Sequence, residues 1–166
     1  MKVLVIGGVA AGTKTAAKMK REDPSAEVVV ITKGREISYA GCGLPYYVGG
    51  MIEEPGDLIV NTPESYSALT GVKVLTGKEA TAVKTGEKAV EVKDEATGER
   101  EMFSYDKLVI ATGASPLVPP VEGMDLAGVF TMRQPKDAIR AREYVEREKV
   151  TRAVVVGAGF IGLEMA

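Results

Sequence analysis

Few residues in this sequence could do redox or nucleophilic chemistry, and they stand beside glycines. Cys42 is the only cysteine among 166 residues, and there is no histidine. Acid/base or nucleophilic work must therefore manage without imidazole, the group most often recruited for it. A lone cysteine most often serves as a small buried hydrophobe. Here Gly41 and Gly43 flank it, which lets another group approach closely. Pro45 can begin a helix whose N-terminus faces the sulfur, a setting that favours the thiolate, the form that attacks disulfides. Those features point to a redox thiol. With no Cys/His cluster, a zinc site is not expected.

A second candidate chemistry is phosphate binding. Val3–Gly12 reads VLVIGGVAAG, and Ala153–Gly162 reads AVVVGAGFIG, with Gly157 and Gly162 standing where Gly7 and Gly12 stand. Loops of this kind use glycine for a tight turn, for approach of a pyrophosphate to backbone, and for packing of helix against strand. The phosphates then meet free N–H groups at a helix N-terminus, where the dipole also favours anions. The second loop has all three glycines, Gly157, Gly159 and Gly162; the first has Gly7 and Gly12, with Val9 at the middle position and Gly8 just before it. One such loop is a weak signal. Two, each following an apolar strand and preceding a helix, point to dinucleotide binding. The end of the second strand, where an acid normally holds ribose hydroxyls, carries Thr32 followed by Lys33.

These residues need elements to position them. Lys2–Ile6 (KVLVI) is an apolar run of the kind buried on both faces of a parallel sheet. A helix is expected over Ala10–Arg21, closed by Pro24, and a second buried strand over Glu27–Thr32 (EVVVIT). Together they predict a right-handed βαβ unit. Ser38–Gly50 (SYAGCGLPYYVGG) reads as a glycine-rich loop with one helical turn after Cys42, and Thr62-Pro63-Glu64 as a helix start. Val72–Phe103, with turn signals at Thr85-Gly86 and Thr97-Gly98, reads as an antiparallel meander inserted in the α/β unit. Tyr105–Ile110 returns to the parallel sheet and ends at Ala111-Thr112-Gly113; a proline-bearing linker and a charged helix over Pro135–Arg147 follow. The second glycine loop then opens a further dinucleotide fold that the sequence leaves after part of one helix. A fragment of a longer enzyme is expected.

The bulk composition excludes several partners. A formal net charge of -2 gives no reason to expect nucleic acid or an anionic membrane as partner. No apolar run reaches the length of a membrane span. Met1 leads directly into the first apolar run, so no signal peptide is read. A single cysteine cannot form an internal disulfide, which fits a reducing cytoplasm.

The segments IGGVAAG, SYAGCGLPYYVGG, YDKLVIATGASP and VVVGAGFIGLE, in this order, resemble the single-cysteine group of the pyridine nucleotide-disulfide oxidoreductases, nearest to its coenzyme A-disulfide reductases. The resemblance covers essentially the whole chain. It implies an α/β, Rossmann-like FAD-binding parallel sheet with the inserted antiparallel β-meander. Residues 1–120 would be the N-terminal part of the FAD-binding domain, 121–150 a connecting segment and helix, and 151–166 the truncated start of an NAD(P)-binding domain. FAD and the electron donor NAD(P)H are the implied cofactors, and a homodimer is the implied state of the full-length parent. By the same resemblance Gly7, Gly8, Ala11 and Gly12 would contact the FAD pyrophosphate, and Thr32 and Lys33 would flank the adenosine ribose. A main-chain group near Ala80 would meet the adenine. Ala111, Thr112 and Gly113 match the turn beside the cofactor, and Arg133 matches a flavin-contacting arginine. Gly157, Gly159 and Gly162 would serve the nicotinamide nucleotide. Cys42 matches the nucleophile, and Ser38 and Arg21 match positions that contact coenzyme A. Two departures stand out: Gly41 replaces an asparagine common before the cysteine, and Thr32 replaces the acidic ribose ligand.

Within that group, NADH oxidases and peroxidases that cycle a cysteine sulfenic acid carry a histidine where this chain has Ala10. Its absence favours reduction of coenzyme A disulfide, or a related thiol substrate such as a persulfide, over oxygen or peroxide chemistry. Lys14, Lys18 and Arg21, at i, i+4 and i+7, form one cationic helix face. That face is either a solvated surface or a receptor for the ADP phosphates of coenzyme A. For the isolated 166 residues the expectation is an inactive partial FAD domain, since most of the nicotinamide domain would be missing.

Overall fold

The computed structural model describes residues 1–166. By its contacts the chain divides into two units, Met1–Tyr39 with Ile59–Gly113, and Ala40–Leu58 with Ala114–Ala166.

In the first unit β1 (Lys2–Ile6), α1 (Ala10–Glu22) and β2 (Glu27–Thr32) form the expected βαβ unit, with Val3 opposite Val28 and Ile6 opposite Ile31 in parallel register. The helix α3 (Pro63–Thr70) follows a capping box in which the Thr62 hydroxyl and Ser65 serve each other's backbone N–H, with Pro63 in the first turn. Gly71, at φ +71°, ends it in the left-handed conformation that glycine adopts without strain. The chain then enters β3 (Lys73–Thr76), and β7 (Lys107–Ile110) completes a parallel sheet of order β3-β2-β1-β7.

The antiparallel meander is β4 (Lys78–Lys84), β5 (Ala89–Asp94) and β6 (Arg100–Ser104), turning at Thr85–Glu87 and at Thr97-Gly98. It is shorter than the sequence pattern suggests. Lys73–Thr76 pairs in parallel with β2, and Gly77, at φ +66°, swings the chain out of one sheet and into the other. Likewise the last strand begins at Lys107 and not at Tyr105. The Tyr105 N–H donates to the Lys88 carbonyl of the meander, and only from Asp106, bonded to Lys2, does the chain join β1.

Alternation along β1 explains why its sequence is apolar throughout. Val3 and Val5 point to one face, where Val28, Val30, Ala16, Ile37, Tyr66 and Val72 bury them. Leu4 and Ile6 point to the other, against Ile31 and the meander residues Val90 and Val92. The parallel sheet is thus covered by α1 and α3 on one side and by the meander on the other.

The second unit is built on α2 (Leu44–Val48), which follows a single 3-10 turn at Gly41–Gly43, and α4 (Pro135–Arg147). Its core is Leu44, Tyr47, Leu58 and Ala138, with Ile52, Met132 and Ile139 packed against them. The segment before α5 (Phe160–Met165) carries no strand, although its sequence repeats β1. No other strand of the chain pairs with residues 153–156, so no ladder forms there. No helix is long and apolar enough to cross a membrane.

Candidate functional site

The first glycine loop is fixed by contacts that leave no room for side chains. Gly7, at φ +116°, ends β1 and donates its N–H to the Ile31 carbonyl at 2.8 Å. A Cβ placed on it would lie 2.1 Å from the Ala111 carbonyl oxygen, so the turn at Ala111-Thr112-Gly113 passes directly against the loop. A Cβ on Gly12 would lie 1.8 Å from the Gly7 carbonyl oxygen, and one on Gly8 would lie 2.9 Å from the methyls of Ile37 and Thr32. The structure therefore brings Gly7, Gly12 and Ala111 together, and beside them Gly8 and Thr32.

The loop opens onto α1, whose N-terminus is bare. Val9 precedes it and supplies no side-chain cap, and no acidic residue occupies the first turn. The leading N–H groups of a helix have no intrahelical acceptor. Ala10 and Ala11 are exposed there. Uncapped donors, a positive dipole end and no competing carboxylate make a fit for a pyrophosphate, the chemistry that FAD would present.

At the far end of β2, Thr32 pairs with Thr76, and Lys33 turns to the meander. Its Nζ lies 2.7 Å from Glu79 and 3.8 Å from Glu95. The Glu79 carboxylate holds the Lys33 ammonium pKa above its ordinary value, and Lys33 in turn holds Glu79 below its own. Ala80 follows Glu79 directly, at the bulge between Ala80 and Ala82. The two positions expected around the adenosine are thus tied together by an ion pair. Glu79 left no signal in the sequence, since it lies far along the chain from Lys33 and on another sheet.

Ser38 sits at φ +49°, a left-handed backbone conformation costly to a non-glycine residue. Three bonds hold it: its N–H to the Gly8 carbonyl, its carbonyl from the Val60 N–H, and its hydroxyl from the Asn61 amide. Lys14, Lys18 and Arg21 are all exposed along α1. Lys18 is engaged by Glu22 at 2.5 Å, so one charge of the three is already answered.

In the second unit, Cys42 is exposed at the centre of the Gly41–Gly43 turn. Gly41 has open space where a Cβ would stand, whereas Gly43 is buried against Ile52 and Leu58. The Ala40 N–H donates to the Leu58 carbonyl at 2.7 Å, and the Gly43 N–H to the Ala40 carbonyl at 2.9 Å. Pro45 stands in the first turn of α2, as the sequence suggests. Arg133 precedes α4: its Nε donates to the Ala114 carbonyl at 2.9 Å, and its N–H to Asp137. Within the same unit, Arg142 of α4 reaches three backbone carbonyls of the segment after Cys42. In the sequence it is one charge among several on a charged helix.

The second glycine loop repeats the first in local geometry. Gly157 sits at φ +113°, and a Cβ on Gly162 would lie 1.9 Å from the Gly157 carbonyl oxygen. The Leu163 N–H donates to the Gly159 carbonyl, as the Thr13 N–H does to that of Val9.

Comparison with known proteins agrees with this architecture. The family model described as pyridine nucleotide-disulphide oxidoreductase matches residues 1–166. The chain is 41% identical over 166 residues to a protein named NADH oxidase from Methanocaldococcus jannaschii, covering 100% of this chain and 37% of that protein. It is 41% identical over 165 residues to an NAD(P)H coenzyme A polysulfide/persulfide reductase from Pyrococcus horikoshii, covering 99% and 36%. Among solved structures, reduced Bacillus anthracis CoADR-RHD superposes with a TM-score of 0.94 at 37% identity, over 99% of this chain and 30% of that one. The chain spans little more than a third of the length of the curated relatives it matches.

Proposed function

The chain belongs to the pyridine nucleotide-disulphide oxidoreductases, and from that premise we propose that it supplies the flavin site and the redox thiol of an NAD(P)H-dependent reductase of coenzyme A disulfide or persulfide. The observation that carries this reading is the exposed Cys42 in its glycine turn, followed at once by a helix. The relatives named for coenzyme A substrates support it. Gly7, Gly8, Ala11 and Gly12, with the turn at Ala111, Thr112 and Gly113, would hold FAD; Thr32, Lys33 and Ala80 would flank its adenosine, and Arg133 its flavin. Gly157, Gly159 and Gly162 would receive NAD(P)H. Lys14, Lys18, Arg21 and Ser38 would meet coenzyme A. The same reading assigns the protein to the reducing cytoplasm, as a homodimer.

Bound FAD supplies the relay of two electrons from NAD(P)H to sulfur. The Cys42 thiolate attacks one sulfur of the substrate disulfide; the substrate S–S bond breaks, a Cys42–S–S–CoA bond forms, and one coenzyme A leaves as thiolate. Two electrons delivered to that mixed disulfide release the second coenzyme A and restore the Cys42 thiolate. Gly41, with open space where a Cβ would stand, adds no bulk beside the exposed Cys42.

Replacing Cys42 with serine in the full-length protein tests the reading. Disulfide reduction is expected to disappear, while flavin stays bound and is still reduced by NAD(P)H. Undiminished turnover of coenzyme A disulfide in Cys42→Ser overturns it. A second reading, oxygen reduction through a Cys42 sulfenic acid, is favoured by the relative named NADH oxidase. Oxygen uptake exceeding coenzyme A-disulfide turnover would select it, against the Ala10 that stands where such enzymes carry histidine.

A further inference from the structure

Few contacts fix the Cys42 turn directly. No side chain caps it at Ala40, nothing lies within 4 Å of a Cβ on Gly41, and Cys42 itself is exposed. Its place is set from behind, by α2 and by the returning chain, where Ile52 and Leu58 lie 3.2 Å from the Cβ position of Gly43. That support itself turns on a pair of glycines. The helix α2 ends at Gly49 and Gly50, the latter at φ +80°, where the N–H groups of Gly49, Gly50 and Met51 close on the carbonyls of Pro45, Tyr47 and Tyr46.

Arg142 adds a side-chain tie across this glycine turn. Its Nη1 lies 3.2 Å from the Tyr47 carbonyl, before the glycine pair, and 2.9 and 3.1 Å from those of Ile52 and Glu53 after it. One charged nitrogen thus draws together the two arms that carry the cysteine turn. Glu146, 2.9 Å from Nε, holds the far side of the guanidinium, and the Arg142 Cζ lies 4.8 Å from the centroid of the Tyr47 ring. Hydrogen bonds from a charged donor are the stronger kind, and the two N–H groups of Nη1 are shared among the three carbonyls. Tyr47 is itself buried with Leu44 and Leu58, so the clamp bears on the core beneath Cys42.

We propose that Arg142 is a positioning residue for Cys42, fixing the glycine turn by clamping the carbonyls of Tyr47, Ile52 and Glu53. The proposal rests on Cys42 being the redox thiol, but its test does not depend on turnover. Arg142→Met keeps an apolar stem over the Tyr47 ring and removes every donor; Arg142→Lys keeps a charged donor. In the full chain, Cys42 is labelled with 5,5′-dithiobis(2-nitrobenzoate), and fold is followed by far-ultraviolet circular dichroism. Release of the turn is expected to change the labelling rate of the exposed Cys42 in Arg142→Met by about tenfold, in either direction, the factor that one charged hydrogen bond is worth. Arg142→Lys is expected to stay within about threefold of wild type on the same scale. In disulfide turnover the loss falls on kcat, with flavin reduction by NAD(P)H unchanged. Wild-type labelling in Arg142→Met, or an equal change in Arg142→Lys, overturns the proposal. Should Arg142→Met not fold, Arg142→Gln takes its place in the same comparison. A wild-type protein that labels normally but reduces no disulfide sinks the proposed function instead, and leaves the labelling result to decide on Arg142.

Discussion

Gly12→Ala is the sharpest test of the phosphate loop, because propensity and packing oppose each other there. Gly12 is buried inside α1, and in a helix alanine is ordinarily favoured over glycine by about 1 kcal/mol. Against that gain, the new Cβ would stand 1.8 Å from the Gly7 carbonyl oxygen. To reach ordinary contact the helix start or the loop must retreat by about 1.5 Å. The obstructing atom is backbone, held in turn by the Gly7 N–H bond to Ile31 and by the Ala111 turn, so no side chain can swing aside. Overpacking costs about 3 kcal/mol where fixed backbone cannot yield, so the net effect is destabilising by about 2 kcal/mol. For a chain of this size the melting temperature is expected to fall by about 4–8 °C. Flavin affinity suffers more, since displaced N–H donors lose bonds to charged phosphate worth about 1.5–3 kcal/mol each, or tenfold and upward in the dissociation constant. Thermal denaturation and flavin titration measure both. Gly41→Ala is the internal control: with nothing within 4 Å of its Cβ, it should leave the melting temperature unchanged. A Gly12→Ala protein that melts at or above wild type and binds flavin as tightly would refute the reasoning.

Two further outcomes follow from the meander and from α1. Asp94 is held well below its usual 3.8, at about 2, first by the Lys78 ammonium and then by the N–H groups of Ala96 and Thr97. A depressed carboxylate stabilises the fold above its ordinary pKa, and the contribution fades as pH falls from about 4 toward 2. The melting-temperature gap between wild type and Asp94→Asn should therefore be full at neutral pH and narrow across that window; a gap constant with pH would contradict it. Tyr66→Phe removes the buried hydroxyl that donates to the Thr13 carbonyl at 2.5 Å, tying α3 to α1. It should cost about 1 kcal/mol in urea unfolding with an unchanged m-value.

What could be read from the sequence was whatever depended on local pattern. The strands Lys2–Ile6 and Glu27–Thr32 and the helix Pro135–Arg147 stand where their apolar and capping residues put them. The capping motif at Thr62 likewise marked its helix start to the residue. Lys73–Thr76 was not legible, because a short β-branched stretch looks the same in a parallel edge strand as in a meander. Its partner is chosen by Gly77 and by the crossover through α3. Pairings across long sequence distances, such as Lys33 with Glu79 and Arg142 with the carbonyls of Tyr47, Ile52 and Glu53, leave no periodic trace at all.

The two glycine loops separate what is local from what is tertiary. Leu4 and Ile6 are 2% and 8% exposed, while Val154 and Val156, at the matching places of the second copy, are 89% and 94% exposed. One apolar run sits in a covered sheet and the other in none. Yet both loops reach the same backbone form. Gly7 and Gly157 share φ near +115°, and in each copy the third glycine presses its Cα against the carbonyl of the first. Even the flanking valines match, Val5 lying 3.4 Å from the Cβ position of Gly12 and Val155 3.5 Å from that of Gly162. The two loops therefore share one backbone form, the first beside a paired strand and the second beside an unpaired run. Burial of the strand is what the second copy lacks. Glycine spacing alone accordingly marks where a phosphate loop can form, whereas a strand partner is needed before the apolar run beside it becomes core.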